Sequence, residues 1–280
     1  MEKDLRRSLK NQGFTLKKKY GQNFLSDDNL LNEIVDLSGI DKDTVVLEIG
    51  PGAGALTRVL AEKAKRVVAY EIDTTLKPVL ENALFGKNNV EIVFGDIMKQ
   101  KISDVEKKLG ENYVLVANLP YYITTPIVTE FLERAKKIKS MSVMVQKEVA
   151  SRFSAKNGTA DYGAITVAIN LRGSARIIKE VGREKFTPVP NVDSAVVRID
   201  IEKEKNIGVD FLKVRESVKC AFSSRRKMLV NNLMNYYKIK REVAEKILID
   251  SEIELTARGE ILTAEQFIKL TNAIEENVNV

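Results

Sequence analysis

The sequence predicts an α/β protein built on a doubly wound, mostly parallel β-sheet with an antiparallel edge, followed by a small all-helical domain. Between residues 44 and 146, five short β-rich runs alternate with segments whose apolar residues recur at helical spacing. This alternation is typical of parallel sheets covered by helices. From about residue 208 onward, every periodic segment has helical spacing. The predicted domains are therefore residues 1–207 and 208–280.

The elements of the first domain follow from the spacing of apolar residues and from glycine breaks. A helix over 28–37 is predicted because its apolar residues recur three and four positions apart, and Gly39 ends it. Continuous runs rich in Val and Ile predict buried strands of a parallel sheet. The predicted strands are 44–49, 66–72, 90–94, 113–117 and 142–146, and the predicted helices between them are 56–64, 75–84 and 127–135.

Past Glu148 the pattern changes, because three apolar runs follow one another with little helical spacing between them. These runs, 164–171, 175–180 and 195–201, are expected to be strands that include an antiparallel edge. The charged stretch 202–210 contains Gly208 and predicts a linker. Helices are then predicted over 211–222, 225–237, 241–248 and 264–276. Thr263 and Gln266 form a capping box at the start of the last one.

The composition excludes several kinds of chemistry. The 280 residues include no histidine and one cysteine. Ser-His-Asp and Cys-His mechanisms, histidine bases and almost all catalytic zinc sites are therefore ruled out. Disulfides and iron–sulfur clusters are ruled out as well. We expect no bound metal, and chemistry carried by carboxylates, amides, hydroxyls, backbone groups or an organic cofactor.

Positive charge is concentrated in two segments. The formal net charge is +6, while residues 1–20 carry +5 and residues 211–246 carry +7. Two basic segments on an otherwise acidic chain indicate a polyanionic partner, nucleic acid before membrane; the alternative is that they are solvated helix faces. The first ten residues lack the apolar region of a signal peptide, and the longest uncharged run, 113–129, contains two prolines. A cytoplasmic protein without membrane contact is expected.

A glycine-rich loop joins the first predicted strand to the next helix, in the sequence Glu48-Ile49-Gly50-Pro51-Gly52-Ala53-Gly54. The missing side chains let the backbone approach a ligand at a helix start, which predicts a nucleotide-type cofactor. The alternatives are a tight turn without a ligand and, because the dinucleotide pattern also matches, a nicotinamide cofactor of a dehydrogenase. Glu71 ends the second strand, where a carboxylate can accept hydrogen bonds from ribose hydroxyls. Asp96 ends the third strand, where an acid can accept one from an adenine amino group.

The fourth predicted strand ends in Asn118-Leu119-Pro120-Tyr121-Tyr122. An amide oxygen and a backbone carbonyl, followed by a rigid proline and an aromatic ring, suit the capture of an exocyclic amino group on a stacked base. The adenine N6 lone pair is delocalised into the ring, so two hydrogen-bond acceptors are needed to favour its attack on a methyl group. The expected acceptors are the Asn118 side chain and the carbonyl of Leu119 or Pro120. The alternative is an asparagine turn with two core tyrosines.

Together these motifs resemble, in order and spacing, those of the ribosomal RNA adenine N6-dimethyltransferases. The bacterial small-subunit (16S) dimethyladenosine transferases of the kasugamycin-sensitivity group are the most similar branch. The resemblance covers nearly the whole chain from about Lys17. The matching segments are 21–25, 48–54, 71–73, 95–96, 118–122, 146–150, 186–194 and 221–229.

The resemblance implies a Rossmann-like class I methyltransferase fold and S-adenosyl-L-methionine as cofactor. It implies dimethylation of two adjacent adenosines in the 3′-terminal hairpin loop of 16S rRNA, within the 30S subunit or its precursor, as part of ribosome biogenesis. A monomer is expected. The implied cofactor-binding residues are Asn23, Leu25, Gly50, Gly52, Glu71, Ile72, Asp96, Ile97 and Asn118.

The resemblance also assigns residues to the RNA. Asn118, Leu119 and Pro120 would hold the reacting amino group. Tyr121 would lie on one face of the flipped adenine and Phe186 near the other. The implied phosphate contacts are Arg225, Arg226 and Lys227 on one turn of a C-terminal helix, with Lys17, Lys18 and Lys19 in the N-terminal arm.

One segment departs from the family pattern, and three other functions stay open. Leu-Ser is expected at Ile165-Thr166 and Gln at Asn170; these changes lie away from the cofactor residues. The first alternative is the large-subunit rRNA dimethylase of macrolide resistance, whose motif usually reads Asn-Ile-Pro. A non-catalytic ribosome assembly factor and a nicotinamide-dependent dehydrogenase are the others.

Overall fold

A computed structural model of the chain describes residues 23–202 and 209–278. Within these ranges the chain folds into two compact units. The first unit runs to Ala150 and resumes over Arg176–Ile201, and the second contains Ser151–Ala175 and the chain from Glu202 onward. Residues 151–175 therefore group with the C-terminal helices, whereas the sequence assigned them to the domain 1–207.

A seven-stranded sheet forms the centre of the first unit. The strands are β2 (Val45–Ile49), β3 (Arg66–Glu71), β4 (Val90–Phe94), β5 (Tyr113–Asn118), β6 (Ile138–Gln146), β7 (Gly173–Val181) and β9 (Ser194–Ile201). Their spatial order is β4-β3-β2-β5-β6-β9-β7, in which β2 to β6 pair in parallel and β9 pairs antiparallel to β6. The predicted α/β class with its antiparallel edge is confirmed.

Helices cover the faces of this sheet. Helix α1 begins after Asp27, whose side chain accepts a hydrogen bond from the Leu30 amide, and its apolar face is buried. The helices of the N-terminal part are α1 (Asp28–Leu37), α2 (Ala55–Lys63), α3 (Lys77–Ala83), α4 (Ile102–Leu109), α5 (Tyr121–Arg134) and α6 (Lys147–Phe153). Helix α5 begins six residues before its predicted start and contains Pro126. Helix α6 was not predicted.

Two very short strands, β1 (Phe24–Leu25) and β8 (Phe186–Thr187), pair antiparallel outside the main sheet. Phe24 lies opposite Thr187, and Leu25 lies opposite Phe186. This pairing fixes the first described residues against a loop some 160 positions later. Neither strand has enough residues to show a periodic pattern, so the sequence did not reveal them.

The second unit is helical, and it corrects two predictions. The run 164–171 is not a strand but part of α7 (Ala164–Arg172), because a short apolar run fits either structure until packing decides. Thr166, one of the positions that depart from the family pattern, accepts a hydrogen bond from the Gly163 amide and donates one to the Arg152 carbonyl. Its other helices are α8 (Phe211–Phe222), α9 (Leu229–Tyr237), α10 (Arg241–Asp250) and α11 (Ala264–Asn277).

The second correction concerns the helix predicted over 225–237. Helix α9 begins only at Leu229, so Arg225, Arg226 and Lys227 lie in the turn after α8. The predicted capping box at Thr263 and Gln266 is confirmed, with hydrogen bonds in both directions. None of the helices in residues 23–202 and 209–278 is long and apolar enough to cross a membrane.

Candidate active site

A cavity of about 300 Å³ lies at the carboxyl ends of the parallel strands. The loops after β2, β3, β4 and β5 all contribute to it, because the carboxyl ends of parallel strands meet at one edge of a sheet. The residues that the sequence predicted for this site and that line the cavity are Asn23, Leu25, Gly50, Gly52, Glu71, Ile72, Asp96, Ile97, Asn118, Leu119, Pro120 and Tyr121. The structure thus brings together residues spread over a hundred positions of sequence.

The glycine loop after β2 requires glycine for two different reasons. Gly50, Gly52 and Gly54 all have positive φ, which only glycine adopts readily. At Gly52 a Cβ atom would also lie 2.8 Å from the Phe24 ring. The Gly50 amide donates to the Tyr70 carbonyl at 2.9 Å, which holds the loop against β3. The loop therefore presents bare backbone to the cavity at the start of α2.

We expect Gly52→Ala to weaken cofactor binding and to destabilise the fold by about 1–3 kcal/mol, the range for backbone strain of this kind. The matched control is Gly86→Ala, since Gly86 also has positive φ but a Cβ atom there would have no neighbour within 4 Å. Urea unfolding and cofactor titration of both variants separate the strain from the contact with Phe24. Equal losses in the two variants would show that the close approach to Phe24 has no effect.

Glu71 both lines the cavity and supports the glycine loop. It is 4% exposed. One carboxylate oxygen accepts a hydrogen bond from the Gly52 amide at 3.1 Å, and the other accepts one from the Asp73 amide at 2.8 Å. Burial raises its pKa, while these backbone hydrogen bonds lower it. Each oxygen keeps a further acceptor position, so the carboxylate can also receive two ligand hydroxyls.

The far end of the cavity combines one acid with apolar side chains. Asp96 accepts a hydrogen bond from the Met98 amide at 3.0 Å through one oxygen and so caps the short helical turn that follows. Ile72 and Met98 are both exposed and both line the cavity. An acceptor beside two apolar surfaces suits a flat base that carries an amino group. Sequence reasoning missed Met98, because one methionine two residues after an aspartate has no distinctive pattern.

The amide of Asn118 is oriented by the backbone. Its Nδ2 atom donates to the Asn23 carbonyl at 3.2 Å, which leaves Oδ1 as an acceptor. The Pro120 carbonyl already accepts two hydrogen bonds, from the Ile123 amide at 3.1 Å and from the Thr124 hydroxyl at 3.2 Å. Both lone pairs of that oxygen are therefore engaged. Of the two carbonyls that the sequence left open, the Leu119 carbonyl is the one that accepts no hydrogen bond from the described residues, and Leu119 lines the cavity.

Tyr121 and Phe186 differ in their relation to the cavity. Tyr121 lines it, and its hydroxyl lies 2.8 Å from the Ser194 hydroxyl. Burial raises the pKa of Tyr121. Phe186 is 2% exposed and belongs to a hydrophobic cluster with Leu25, and it is not among the cavity residues. Tyr122 also lines the cavity and is 63% exposed, so the two tyrosines do not both lie in the core.

Glu48 has an unsatisfied polar atom beside the cavity. It is 1% exposed, and its Oε2 atom has no hydrogen-bond partner among the described residues. Burial raises its pKa to about 8, and the Glu71 carboxylate acts in the same direction. The strand register places Glu48, Val116 and Ser142 in one row, and the buried Ser142 hydroxyl also lacks a partner there. Sequence reasoning placed Glu48 in a motif but gave it no role.

The pKa of Glu48 predicts a pH dependence of stability. The folded carboxyl keeps its proton up to about pH 8, whereas an unperturbed carboxyl loses it near pH 4.5. The folded state therefore binds more protons in this window, and stability falls as pH rises through it. We expect Glu48→Gln to flatten this fall by up to about 1.4 kcal/mol per pH unit.

The measurement is urea unfolding of the protein without cofactor at pH 5.5 and 7.5. Glu91→Gln is the control, since ion pairs with Lys108 and Arg66 lower the pKa of Glu91 and it titrates below this window. A Glu48→Gln protein with the wild-type slope would contradict the assignment.

The comparisons with known proteins give one family. The family model described as "Ribosomal RNA adenine dimethylase" matches residues 13–273. The chain is 44% identical over 276 residues to "Ribosomal RNA small subunit methyltransferase A" of Geobacillus thermodenitrificans, which covers 95% of this chain and 93% of the relative. The chain belongs to the ribosomal RNA adenine dimethylase family.

Two solved structures of similar proteins agree with this membership. A dimethyladenosine transferase from Plasmodium falciparum superposes with a TM-score of 0.76 at 25% identity, covering 91% of this chain and 98% of that one. The 23S rRNA methyltransferase ErmE superposes with a TM-score of 0.67 at 29% identity, covering 90% and 100%. The predicted Rossmann-like methyltransferase fold and the predicted enzyme class are confirmed. The dehydrogenase alternative is thereby removed.

The cofactor of this dimethylase family is S-adenosyl-L-methionine, and the cavity fits it. Gly50 and Gly52 line the cavity without side chains, so the loop presents its backbone to a ligand there. Glu71 and Asp96 supply acceptors for hydroxyl and amino groups, and the buried, unpartnered oxygen of Glu48 lies at the same cavity. Within the described ranges, no group of three or more Asp, Glu or Cys side chains is placed to hold a metal ion.

The residues predicted to contact phosphates in this dimethylase differ in whether their charged groups already bond to other parts of the protein. The Arg225 guanidinium donates to the carbonyls of Ala160 and Tyr162 at 2.8 and 3.1 Å, and it lies 3.6 Å from Glu260. Its role is therefore at least partly to hold the second unit together. Arg226 and Lys227 are exposed and form no ion pair with any residue that the structure describes. Lys17, Lys18 and Lys19 lie outside the described residues.

Proposed function

We propose that this chain transfers methyl groups from S-adenosyl-L-methionine to N6 of two adjacent adenosines in the 3′-terminal hairpin loop of 16S rRNA, within the small ribosomal subunit or its precursor. The carrying observation is the end of β5, where Asn118 Oδ1 and the carbonyl of the next residue, Leu119, accept no hydrogen bond from any described residue. Both residues line the cavity of the glycine loop. The relatives named small-subunit methyltransferases favour the 16S substrate over the large-subunit one.

The two acceptors supply what the reaction lacks. Adenine N6 is a poor nucleophile because its lone pair is delocalised into the ring. Hydrogen bonds from its two N–H groups to Asn118 Oδ1 and to the Leu119 carbonyl favour localisation of that pair. The cofactor supplies an electrophilic methyl group on a sulfonium. As the nitrogen bonds the methyl carbon, the bond from that carbon to sulfur would break and leave a neutral thioether. The nitrogen, now cationic, then loses a proton to solvent, so no histidine or strong base is required.

Tyr121 is the residue that we propose to stack on the target base. Tyr121 lines the cavity, and the hydrogen bond between its hydroxyl and the Ser194 hydroxyl holds the end of the side chain in place. A base splayed from an RNA loop can stack on such a ring at less cost than one taken from a duplex. Phe186 supports the site differently from the sequence prediction, since it is buried against Leu25 in the β1–β8 pair.

Basic residues of the second unit and the N-terminal arm are proposed to bind phosphates. Arg226, Lys227 and the three lysines 17–19 carry this role, with Arg225 in a mainly structural one. Replacing Arg226 and Lys227 by alanine should reduce the slope of log affinity against log salt by roughly 0.7 per lost contact with single-stranded RNA. The control is the double alanine variant of Lys213 and Lys219, which form ion pairs with Glu275 and Glu216. A wild-type slope in the first variant would show that other residues make these contacts.

The deciding experiment is transfer of labelled methyl groups to small subunits that lack this modification, followed by nuclease digestion and mass analysis. We expect dimethyladenosine confined to the 3′-terminal hairpin. Label in large-subunit RNA would favour the macrolide-resistance type of dimethylase. Cofactor binding without transfer would favour a non-catalytic assembly factor. Ultracentrifugation and cell fractionation test the accompanying proposals of a monomer in the cytoplasm.

A further inference from the structure

A second pocket, of about 450 Å³, lies on the surface of the first unit. It is lined by residues 146–148, 183 and 191–193. These residues come from the end of β6 and the start of α6, from the turn after β7 and from the segment before β9. None of them was assigned a role above.

Hydrogen bonds hold the walls of this pocket together. The Lys147 amide donates to the Asp193 carbonyl at 3.0 Å, and the Arg183 amide donates to the Asp193 carboxylate at 3.0 Å. The Arg183 guanidinium also donates to the Asn191 carbonyl at 3.3 Å. The pocket is therefore built from three chain segments that are bonded to one another.

The pocket lies next to the target-base wall of the cavity. Gln146 is directly opposite Ser194 in the β6–β9 ladder. The Ser194 hydroxyl lies 2.8 Å from the hydroxyl of Tyr121, which lines the cavity. One strand pair thus connects a pocket wall to the ring proposed to stack on the target adenine. A nucleotide next to the target in the same RNA strand is therefore a candidate occupant of this pocket.

The side chains of the pocket suit a neutral base. Lys147 and Arg183 are matched in number by Glu148 and Asp193, and the Lys147 ammonium is paired with Glu180 at 2.8 Å. A pocket with balanced charge favours an uncharged group over a phosphate. Val192 is 43% exposed and offers an apolar surface.

Two carboxamide side chains suit the pocket to adenine with an unmethylated amino group. The side-chain amides of Gln146 and Asn191 form no hydrogen bond with any described residue. A carboxamide pairs with adenine by accepting from N6 and donating to N7. An adenine whose N6 carries two methyl groups has no N6 hydrogen left to donate.

We propose that this pocket binds the adenine adjacent to the target, through Gln146 and Asn191, and that it discriminates against that adenine once it is dimethylated. This inference rests on the proposed function, and it adds a second recognition site to the same reaction. The pocket takes the neighbour on one side of the target only, so the enzyme reads both adenines at once while the first of them is methylated. When the neighbour becomes the target in turn, the dimethylated adenine lies on its other side and does not enter this pocket.

The test uses fluorescent RNA hairpins with the loop sequence of the 16S 3′ end, bound to the full-length protein without cofactor. The neighbour of the target is adenosine, purine riboside without the amino group, or N6,N6-dimethyladenosine. We expect the affinity for adenosine to exceed that for the other two by about 5- to 150-fold, the range for a good amide–adenine pair. Fluorescence anisotropy measures each Kd.

Replacing Gln146 by methionine and Asn191 by leucine should abolish this preference. The same double variant should raise KM for small subunits and leave kcat for methyl transfer unchanged. Asn32→Leu is the control, because Asn32 is an asparagine of α1 that bonds only the Asp28 carbonyl of its own helix. It should keep the wild-type preference.

Equal affinities of the wild-type protein for the three hairpins would overturn the pocket assignment, as would a preference that persists in the double variant. Failure of the unmodified hairpin to bind would also overturn it. Methyl transfer to whole subunits by the same preparation is the separate measure of the proposed function. Transfer in that assay with equal hairpin affinities would therefore reject the pocket alone, whereas no transfer would reject both.

Discussion

Replacing Asn118 by alanine is expected to lower methyl transfer at saturating cofactor and RNA by about 100- to 1000-fold. This is the range for removing one preorganised hydrogen-bonding group from a transition state. The variant loses the acceptor proposed to localise the N6 lone pair, while the glycine loop, Glu71 and Asp96 remain. Cofactor affinity should therefore change by only a few-fold. Single-turnover transfer and calorimetric titration of the cofactor measure the two effects separately.

Asn118→Asp tests the orientation of this amide. An aspartate keeps an acceptor toward the cavity but turns its other oxygen toward the Asn23 carbonyl, to which Asn118 donates at 3.2 Å. Two acceptors would then face each other, so we expect a loss close to that of alanine. Asn32→Ala, on the surface of α1, is the control. Turnover within tenfold of the wild type in Asn118→Ala would remove Asn118 from the mechanism.

Replacing Glu71 by alanine is expected to lower the affinity for S-adenosyl-L-methionine by about 100-fold. The carboxylate accepts hydrogen bonds from the amides of Gly52 and Asp73, and hydrogen bonds to a charged group contribute about 1.5–3 kcal/mol each. Its loss leaves these amides without their acceptor and removes the acceptors proposed for the ribose. Calorimetric titration of the cofactor gives the affinity.

Glu71→Gln tests whether the charge and the two acceptor oxygens of the carboxylate are required, because glutamine has nearly the same shape as glutamate. A glutamine fits the same space, but whichever way its amide turns, its NH2 group faces one of the two backbone N–H donors. We therefore expect Glu71→Gln to bind the cofactor nearly as poorly as Glu71→Ala. Glu91→Gln is the control, since Glu91 pairs with Arg66 and Lys108 on the surface of β4. Binding by Glu71→Gln within threefold of the wild type would show that the carboxylate is not required.

The sequence predicts those parts of the fold that short-range patterns determine. The strand before Gly50 and the strand that Glu71 ends are continuous apolar runs, and the loop after the first of them has positive φ values that favour glycine. Because parallel strands end at one edge, the order of the motifs was enough to bring the cavity residues together. The strand predicted over 164–171 is wrong because the Ala, Ile and Val residues of this run fit a buried strand and a buried helix equally well.

Other features depend on contacts that no local pattern contains. Phe186 is buried because it pairs with Leu25, which lies 161 positions earlier in the chain. Arg225 bonds carbonyls more than sixty positions away, so its chemistry suggested phosphate binding while its position gives it a structural role. The start of α5 distinguishes the Leu119 carbonyl from the Pro120 carbonyl, because Ile123 and Thr124 both donate hydrogen bonds to the Pro120 carbonyl.

The pairing of Phe24–Leu25 with Phe186–Thr187 has a consequence for the order in which the protein is made. By the time Tyr122 has been synthesised, the nascent chain already contains the ends of β2, β3, β4 and β5 that line the cavity, but not the lining residues Ser142, Met144 and Val196. It still lacks the partner strand that fixes Phe24 beside Gly52, and it lacks Ser194, to which Tyr121 bonds. The Asn118 amide, proposed to act in methyl transfer, donates to the carbonyl of Asn23, one residue before that strand. The methyl-transfer site is therefore completed late in translation, when about two-thirds of the chain has left the ribosome that synthesises it.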